Sequence, residues 1–303
     1  VAWPFLVLAT LAACGGARAT QPAKDPLAAE IERWSAFLQS EAASRGMWPQ
    51  VKKDTEPELA HAAEDLRQGR WLFALTRFTA VRAKLAATKY MSERPAAAHQ
   101  EMAGFEAEWA RMGGELRRDL DPPSAAALQD VQPAAVRALA EATLPQVRIY
   151  YKASLDYGRN TSPGDGLYYL ATAEGQRDLV AFLRTLSAPS ERHAPPLRPL
   201  GPELDSLEAE MLAAYKPPVS VDRHGEFITA SSTLKEAREL DAAGLRYGAM
   251  LRYLQAALRF APLRGAPPAL DAAAVNERLR DFEARLAAGN VDHSLGRIFL
   301  ESA

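Results

Sequence analysis

Ala, Leu, Glu and Arg dominate the segments of this chain with hydrophobic periodicity, and strand-type alternation is nearly absent. These residues lose little side-chain freedom in a helix and are strong helix formers. The 21 prolines fall largely between those segments, with clusters at 121–123, 195–202, 217–218 and 262–268. Helical segments separated by proline clusters predict an all-α chain. Leu27, Ile31, Trp34 and Leu38 recur at spacings of four, three and four and therefore share one helical face. Asp25-Pro26 supplies a cap and a first-turn proline for that helix.

The same reading predicts a second helix from Pro57 to Gly69, a third over 70–91, and a fourth over 96–119, weakened or kinked at Gly113-Gly114. Short helical pieces follow at 125–129 and 133–143. Residues 145–158 and 166–187 read as two antiparallel helices joined by the polar loop 159–165. A further stripe contains Leu204, Leu207, Met211, Leu212 and Tyr215. Residues 219–230 read as an extended piece or a loop. Thr233 and Glu236 have the spacing of a capping box for a helix running toward Pro262, and helices over 270–288 and 292–301 complete the chain. The expected organisation is an N-terminal helical region (26–188), a Pro-rich linker or loop (189–203) and a C-terminal helical region (204–303).

Self-similarity adds a second layer. In Gly69-Arg70-Trp71-Leu72-Phe73-Ala74, continuing to Phe78 and Val81, glycine is followed at fixed intervals by an aromatic, a small residue, an aromatic and an apolar residue. Leu59 to Leu66 precede it as a partner helix. Near the other end, Tyr247, Met250, Leu251, Leu254, Ala257 and Pro262 repeat the order. There Met250 stands for the small residue, Gly244 is displaced, and Leu234, Ala237 and Leu240 lie on the preceding helix. Gly166, Tyr168 and Ala171 form a weaker third copy. The pattern resembles the tetratricopeptide repeat, in which small residues let paired helices approach and aromatics fill the space between pairs. The resemblance implies antiparallel helical hairpins in a concave, protein-binding array. A generic helical array accounts for the same residues, because tandem copies at a fixed period are not visible.

The single cysteine, Cys14, closes Leu11-Ala12-Ala13-Cys14 after an apolar stretch and before Gly15-Gly16. This resembles the lipobox of a bacterial lipoprotein. The resemblance implies a signal peptide at 1–13, lipidation of Cys14, a tether over 14–25, and a chain held in the cell envelope, at the outer membrane facing the periplasm. The first cation is Arg18, so the basic start of a signal peptide is missing from these residues. With one cysteine an exported fold has no internal disulfide and depends on packing.

Net charge is −2, from 36 basic and 38 acidic residues, which argues against nucleic acid as a partner. No HExxH or GxSxG pattern occurs. Asp222, His224 and Glu226 alternate and would share a face only in an extended strand. The loop 159–166 lacks the lysine of a phosphate-binding loop. Neither carries a catalytic or metal assignment, and no cofactor is expected. The candidate binding surface is the group Tyr150, Tyr151, Tyr157, Tyr168 and Tyr169, with Arg159 and Arg177, on the helices flanking that loop. Tyrosine combines flat apolar area with a polar tip, which suits a docking surface; the alternative is that these rings pack the helix pair internally. The expected function is a lipid-anchored envelope scaffold that binds a protein or peptide. The alternative is a small-molecule-binding or transporter-accessory lipoprotein.

Overall fold

The computed structural model describes residues 25–120, 128–187, 192, 194–216, 221–264 and 271–302. Cys14 and the lipobox-like Leu11-Ala12-Ala13 before it lie outside them, as do the proline clusters at 121–123 and 217–218. Among the described residues the chain is all-α, with twelve helices: α1 (Pro26–Gln39), α2 (Trp48–Arg67), α3 (Trp71–Ser92), α4 (Ala96–Gln100), α5 (Met102–Leu120), α6 (Ala134–Asn160), α7 (Pro163–Thr185), α8 (Gly201–Ala214), α9 (His224–Ala242), α10 (Arg246–Phe260), α11 (Ala272–Ala288) and α12 (Ser294–Ser302).

Three antiparallel hairpins, α2–α3, α6–α7 and α9–α10, lie side by side. The middle pair joins the row, with α7 packed on α3 and α6 packed on α10. Helix α1 covers α2 with Leu27, Ile31, Trp34 and Leu38, all buried as their spacing predicts. Helices α4 and α5 cover α6 and α7, α8 flanks α9, and α12 lies across α3 and α6.

Two of the hairpins turn in the same way. Gly69 and Gly244 both take a positive φ, of 75° and 78°. In the first turn Arg70 N–H donates to the Asp65 carbonyl at 2.8 Å, and in the second Leu245 N–H donates to the Leu240 carbonyl at 2.9 Å. This six-to-one bond with a left-handed glycine is a Schellman cap, and the glycine meets it without a Cβ penalty. It also sets the register. Ala249 occupies the place of Ala74, and both are fully buried, so Ala249 rather than Met250 is the small residue of the second hairpin. Gly166 is not a turn glycine; it lies inside α7 against Gly158 and Phe105.

Several boundaries move from their sequence-based positions. Helix α2 begins at Trp48, not Pro57, because Trp48, Val51 and Thr55 are buried and hold the first turns despite the internal proline. Pro145 likewise lies inside a single 27-residue α6 where two pieces are expected. Helix α5 runs through Gly113 unbroken, and the missing side chain there makes room for the Tyr151 hydroxyl. The expected fourth helix is instead split into α4 and α5 at Glu101, whose backbone is extended. Thr233 is no cap; it lies mid-helix in α9, and its hydroxyl donates to the Thr229 carbonyl at 2.8 Å. Residues 224–230 are the first turns of α9, not an extended piece.

The N-termini of α3, α6 and α10 follow Arg70, Pro133 and Leu245, none of which provides a side-chain cap. Remote side chains supply the acceptors. Glu301 accepts from Phe73 N–H at 3.0 Å, Asp292 from Ala134 N–H at 2.6 Å, and the Ser294 hydroxyl from Ala135 N–H at 2.9 Å. The fully buried Glu141 carboxylate accepts from Gly248 N–H at 3.0 Å and from Arg137 Nε at 2.7 Å. A Cβ at position 248 would fall 2.8 Å from the Ala142 nitrogen, so α10 meets α6 only through glycine. A second buried tie joins α1, α3 and α7, where Arg82 pairs with Glu30 at 3.1 Å and with Asp178.

Loss of the Glu141 carboxylate leaves a buried N–H and a guanidinium without their acceptor. Glu141→Ala is therefore expected to cost about 3 kcal/mol in chemical denaturation, against about 1 kcal/mol for Glu301→Ala. The Glu30 tie predicts acid sensitivity. Burial opposes the Glu30 charge, but Arg33 and Arg82 outweigh it and hold the carboxyl below its ordinary 4.5. That stability is fully present above the ordinary carboxylate value and is lost as pH falls through the lower folded value. Trp34 fluorescence followed on acidification should report α1 loosening there, and Glu30→Gln should weaken that dependence.

Candidate functional site

The sequence-identified tyrosines divide between two sets of contacts. The α6–α7 hairpin turns at Thr161-Ser162, a shorter connection than the expected loop 159–165. Ser162 caps α7: its hydroxyl oxygen accepts from Asp165 N–H at 3.1 Å, and its carbonyl accepts from Gly166 N–H at 3.0 Å. Those amides are engaged within the turn, so they are not presented to an anion. Beneath the turn, Phe105 from α5 sits against Gly158 and Gly166, and a Cβ at position 166 would fall 2.6 Å from the Gly158 Cα. This close approach sets the spacing of the two helices that carry the tyrosines.

Tyr151, Arg159 and Arg177 point at α5. The Tyr151 ring stacks on Trp109 at 5.0 Å and 8°. Its hydroxyl donates to the Trp109 carbonyl at 3.2 Å, and the Trp109 indole donates to the Tyr151 carbonyl at 3.3 Å. Arg159 binds Glu106 at 2.8 Å. Arg177 binds Glu115 and Glu174, each at 2.9 Å. Burial works against the Arg177 charge, but the two carboxylates outweigh it and raise its pKa, so it stays protonated. These three residues fasten the α5 cover.

Tyr150, Tyr157, Tyr168 and Tyr169 form the other set, gathered around Tyr169. Tyr157 stacks on Tyr169 at 4.0 Å and 15°, Tyr168 meets it edge-on at 5.7 Å, and Tyr150 lies at 6.2 Å. Tyr168 is 59% exposed and Tyr157 43%, with Ile149 exposed close by in the chain. Tyr157 and Tyr168 face solvent, whereas Tyr150 and Tyr169 are half-buried, with Tyr150 packed against the core. Hydrogen bonding to Tyr157, with some desolvation, pushes the Tyr169 phenol up to about 12.

Sequence reading missed an apolar cleft of about 260 Å³ between α8 and α9, lined by Met211, Leu212, Tyr215, Phe227 and Ile228. Leu212, read as part of the helical stripe of Leu204, Leu207 and Met211, is 71% exposed there. The signal available was the surplus of apolar residues in the α8 stripe beyond one helical face. Asp222, His224 and Glu226 do not converge. They span a short 3-10 turn and the start of α9, where alternate residues point to opposite sides. His224 Nδ1 lies 2.8 Å from the Tyr215 hydroxyl, and Glu226 pairs with Arg223 at 2.6 Å. No group of His, Cys, Asp or Glu suited to a metal ion occurs among the described residues, and none of their helices is long and apolar enough to cross a membrane.

Comparison of the chain with protein-family models, with curated proteins and with solved structures found no match in any of the three.

The tyrosine cluster has an optical signature. A spectrophotometric alkaline titration should show a late step near 12 that includes Tyr169. Tyr157→Phe removes the hydrogen-bonding hydroxyl and should move the Tyr169 share of that step toward 10. An unchanged late step in this variant would exclude coupling between the two rings.

Proposed function

We propose that this chain is a lipid-anchored scaffold of the bacterial cell envelope that docks a protein or peptide partner on the tyrosine surface of α6 and α7. The observation that carries the reading is the exposure of Tyr157 and Tyr168 around Tyr169 on a fixed helix pair. Clustered tyrosines bury large area on contact at little cost in side-chain freedom. The lipobox-like Leu11-Ala12-Ala13-Cys14 supports the anchor, and its lone cysteine leaves lipidation free of competition from disulfide pairing. The shared turn of the α2–α3 and α9–α10 hairpins supports kinship with helical-repeat scaffolds, which present partner surfaces on paired helices.

The α8–α9 cleft favours the second reading, a lipoprotein that holds a small apolar ligand for a transporter. At about 260 Å³ it is small and open beside ordinary ligand pockets, which run from roughly 300 to 1,000 Å³. The scaffold reading therefore leads.

Affinity purification of the tethered protein from its own membranes tests the partner. A defined envelope protein should co-purify, and Tyr157→Ser with Tyr168→Ser should reduce its recovery at least tenfold without changing the melting temperature. Undiminished recovery from this variant would move the partner site elsewhere. Cys14→Ala should release a folded protein into the soluble fraction. If that protein still sedimented with membranes after a salt wash, the anchor would not be the lipid on Cys14.

A further inference from the structure

Helix α11 is the least covered long helix of the fold. None of its described residues is fully buried, and α12, near its C-terminal end, is its principal neighbour among the described residues. Yet α11 is not polar all round. Val275, Leu279, Phe282 and Leu286 recur at spacings of four, three and four, a heptad d-a-d-a seam. Val275 is 38% exposed and Phe282 37%. Leu279 and Leu286 are half-buried, and Gly296 of α12 approaches the C-terminal half of the seam at Leu286 and Phe282. A helix stabilised mainly by tertiary packing does not ordinarily leave such a seam to solvent.

The charges beside the seam indicate what covers it. In this heptad phase Arg278 and Arg285 take g positions and Glu283 takes an e position. Side-by-side parallel helices place g of one heptad opposite e of the next on the partner. A second copy in parallel therefore sets Arg278 against Glu283 twice, once on each side. An antiparallel copy sets Arg278 against Arg285. Neither Arg278 nor Glu283 is ion-paired among the described residues, and both are exposed. The helix carries Arg278, Arg280 and Arg285 against Glu277, Asp281 and Glu283, with no basic excess of the kind that draws a helix onto an anionic bilayer.

We infer that α11 is a self-association element: two copies of this chain pair in parallel through the Val275–Leu286 seam, with Arg278 of each facing Glu283 of the other. The seam spans only two heptads, so the pairing is weak and concentration-dependent. It does not depend on the tyrosine surface or on the anchor.

Sedimentation of the full chain from roughly 1 µM to roughly 1 mM should show monomer passing to dimer. Leu279→Glu should abolish the dimer while leaving the helical spectrum and melting temperature unchanged, because the site is outside the main core. Arg278→Glu should weaken association about fivefold, and the double exchange Arg278→Glu with Glu283→Arg should restore it. In a Cys14→Ser background, Leu279→Cys should form disulfide-linked dimers on oxidation, since parallel pairing puts the two a positions side by side. Monomer throughout the range, or a dimer that survives Leu279→Glu, would overturn the proposal. So would a dimer without the Leu279→Cys cross-link, as docking of α11 into the α8–α9 cleft of another copy would give. Binding of the monomer to anionic vesicles through this helix, without dimer, would replace self-association with a lipid surface.

Discussion

The row of hairpins depends on acceptors delivered from a distance to the starts of its inner helices. A helix begins with amides that have no partner within it, and in the interior water does not reliably provide one. Helices α3, α6 and α10 all begin against other elements, after an arginine, a proline and a leucine that provide no cap. Glu301, Asp292, Ser294 and Glu141 fill those places from 107 to 228 residues away. Each carboxylate also lies at the positive end of a helix dipole, where negative charge is favoured. The Glu141 contact does more, because it coincides with the glycine approach that brings α10 onto α6. Pro145, four residues on, has no N–H to give the Glu141 carbonyl, so the ordinary helical ladder is already interrupted where α10 meets α6.

The middle hairpin is engaged on both sides by α3 and α10, and α5 lies over part of what remains. Its surface is thereby divided. The Tyr151, Arg159 and Arg177 side fastens the cover, while Tyr157 and Tyr168 stay open to solvent. Rings that stack across α6 and α7, with Tyr157 on Tyr169, are ordered before any partner arrives. That order lowers the entropic cost of docking.

Much of the fold was legible because it follows from periodicity. The Leu27–Leu38 stripe, the Gly69 turn and the helical character of every long segment come directly from spacing and propensity. The boundaries that moved share one cause: tertiary burial overrode local signals. Pro57 and Pro145 read as helix starts or breaks, but Trp48, Val51 and Val147 are buried on the far side of each proline and hold the helix together. Gly113-Gly114 reads as a weak point, and only the Tyr151 ring arriving from another helix shows why a glycine stands there. Remote caps are invisible to any local window, since nothing near Phe73 points to Glu301. At the candidate site, sequence identified the tyrosines. It could not divide them, because Tyr150 and Tyr151 are adjacent in the chain and differ only in which helix lies opposite.

The capping of α3 and α6 from residues 292–301 also has a consequence in time. Both helices leave the ribosome long before the groups that satisfy their first amides exist. Until that late segment arrives, the N-terminal hairpins lack the contacts that fix where their inner helices begin. The starts of α3 and α6 therefore stay incompletely locked until residues 292–301 have been made.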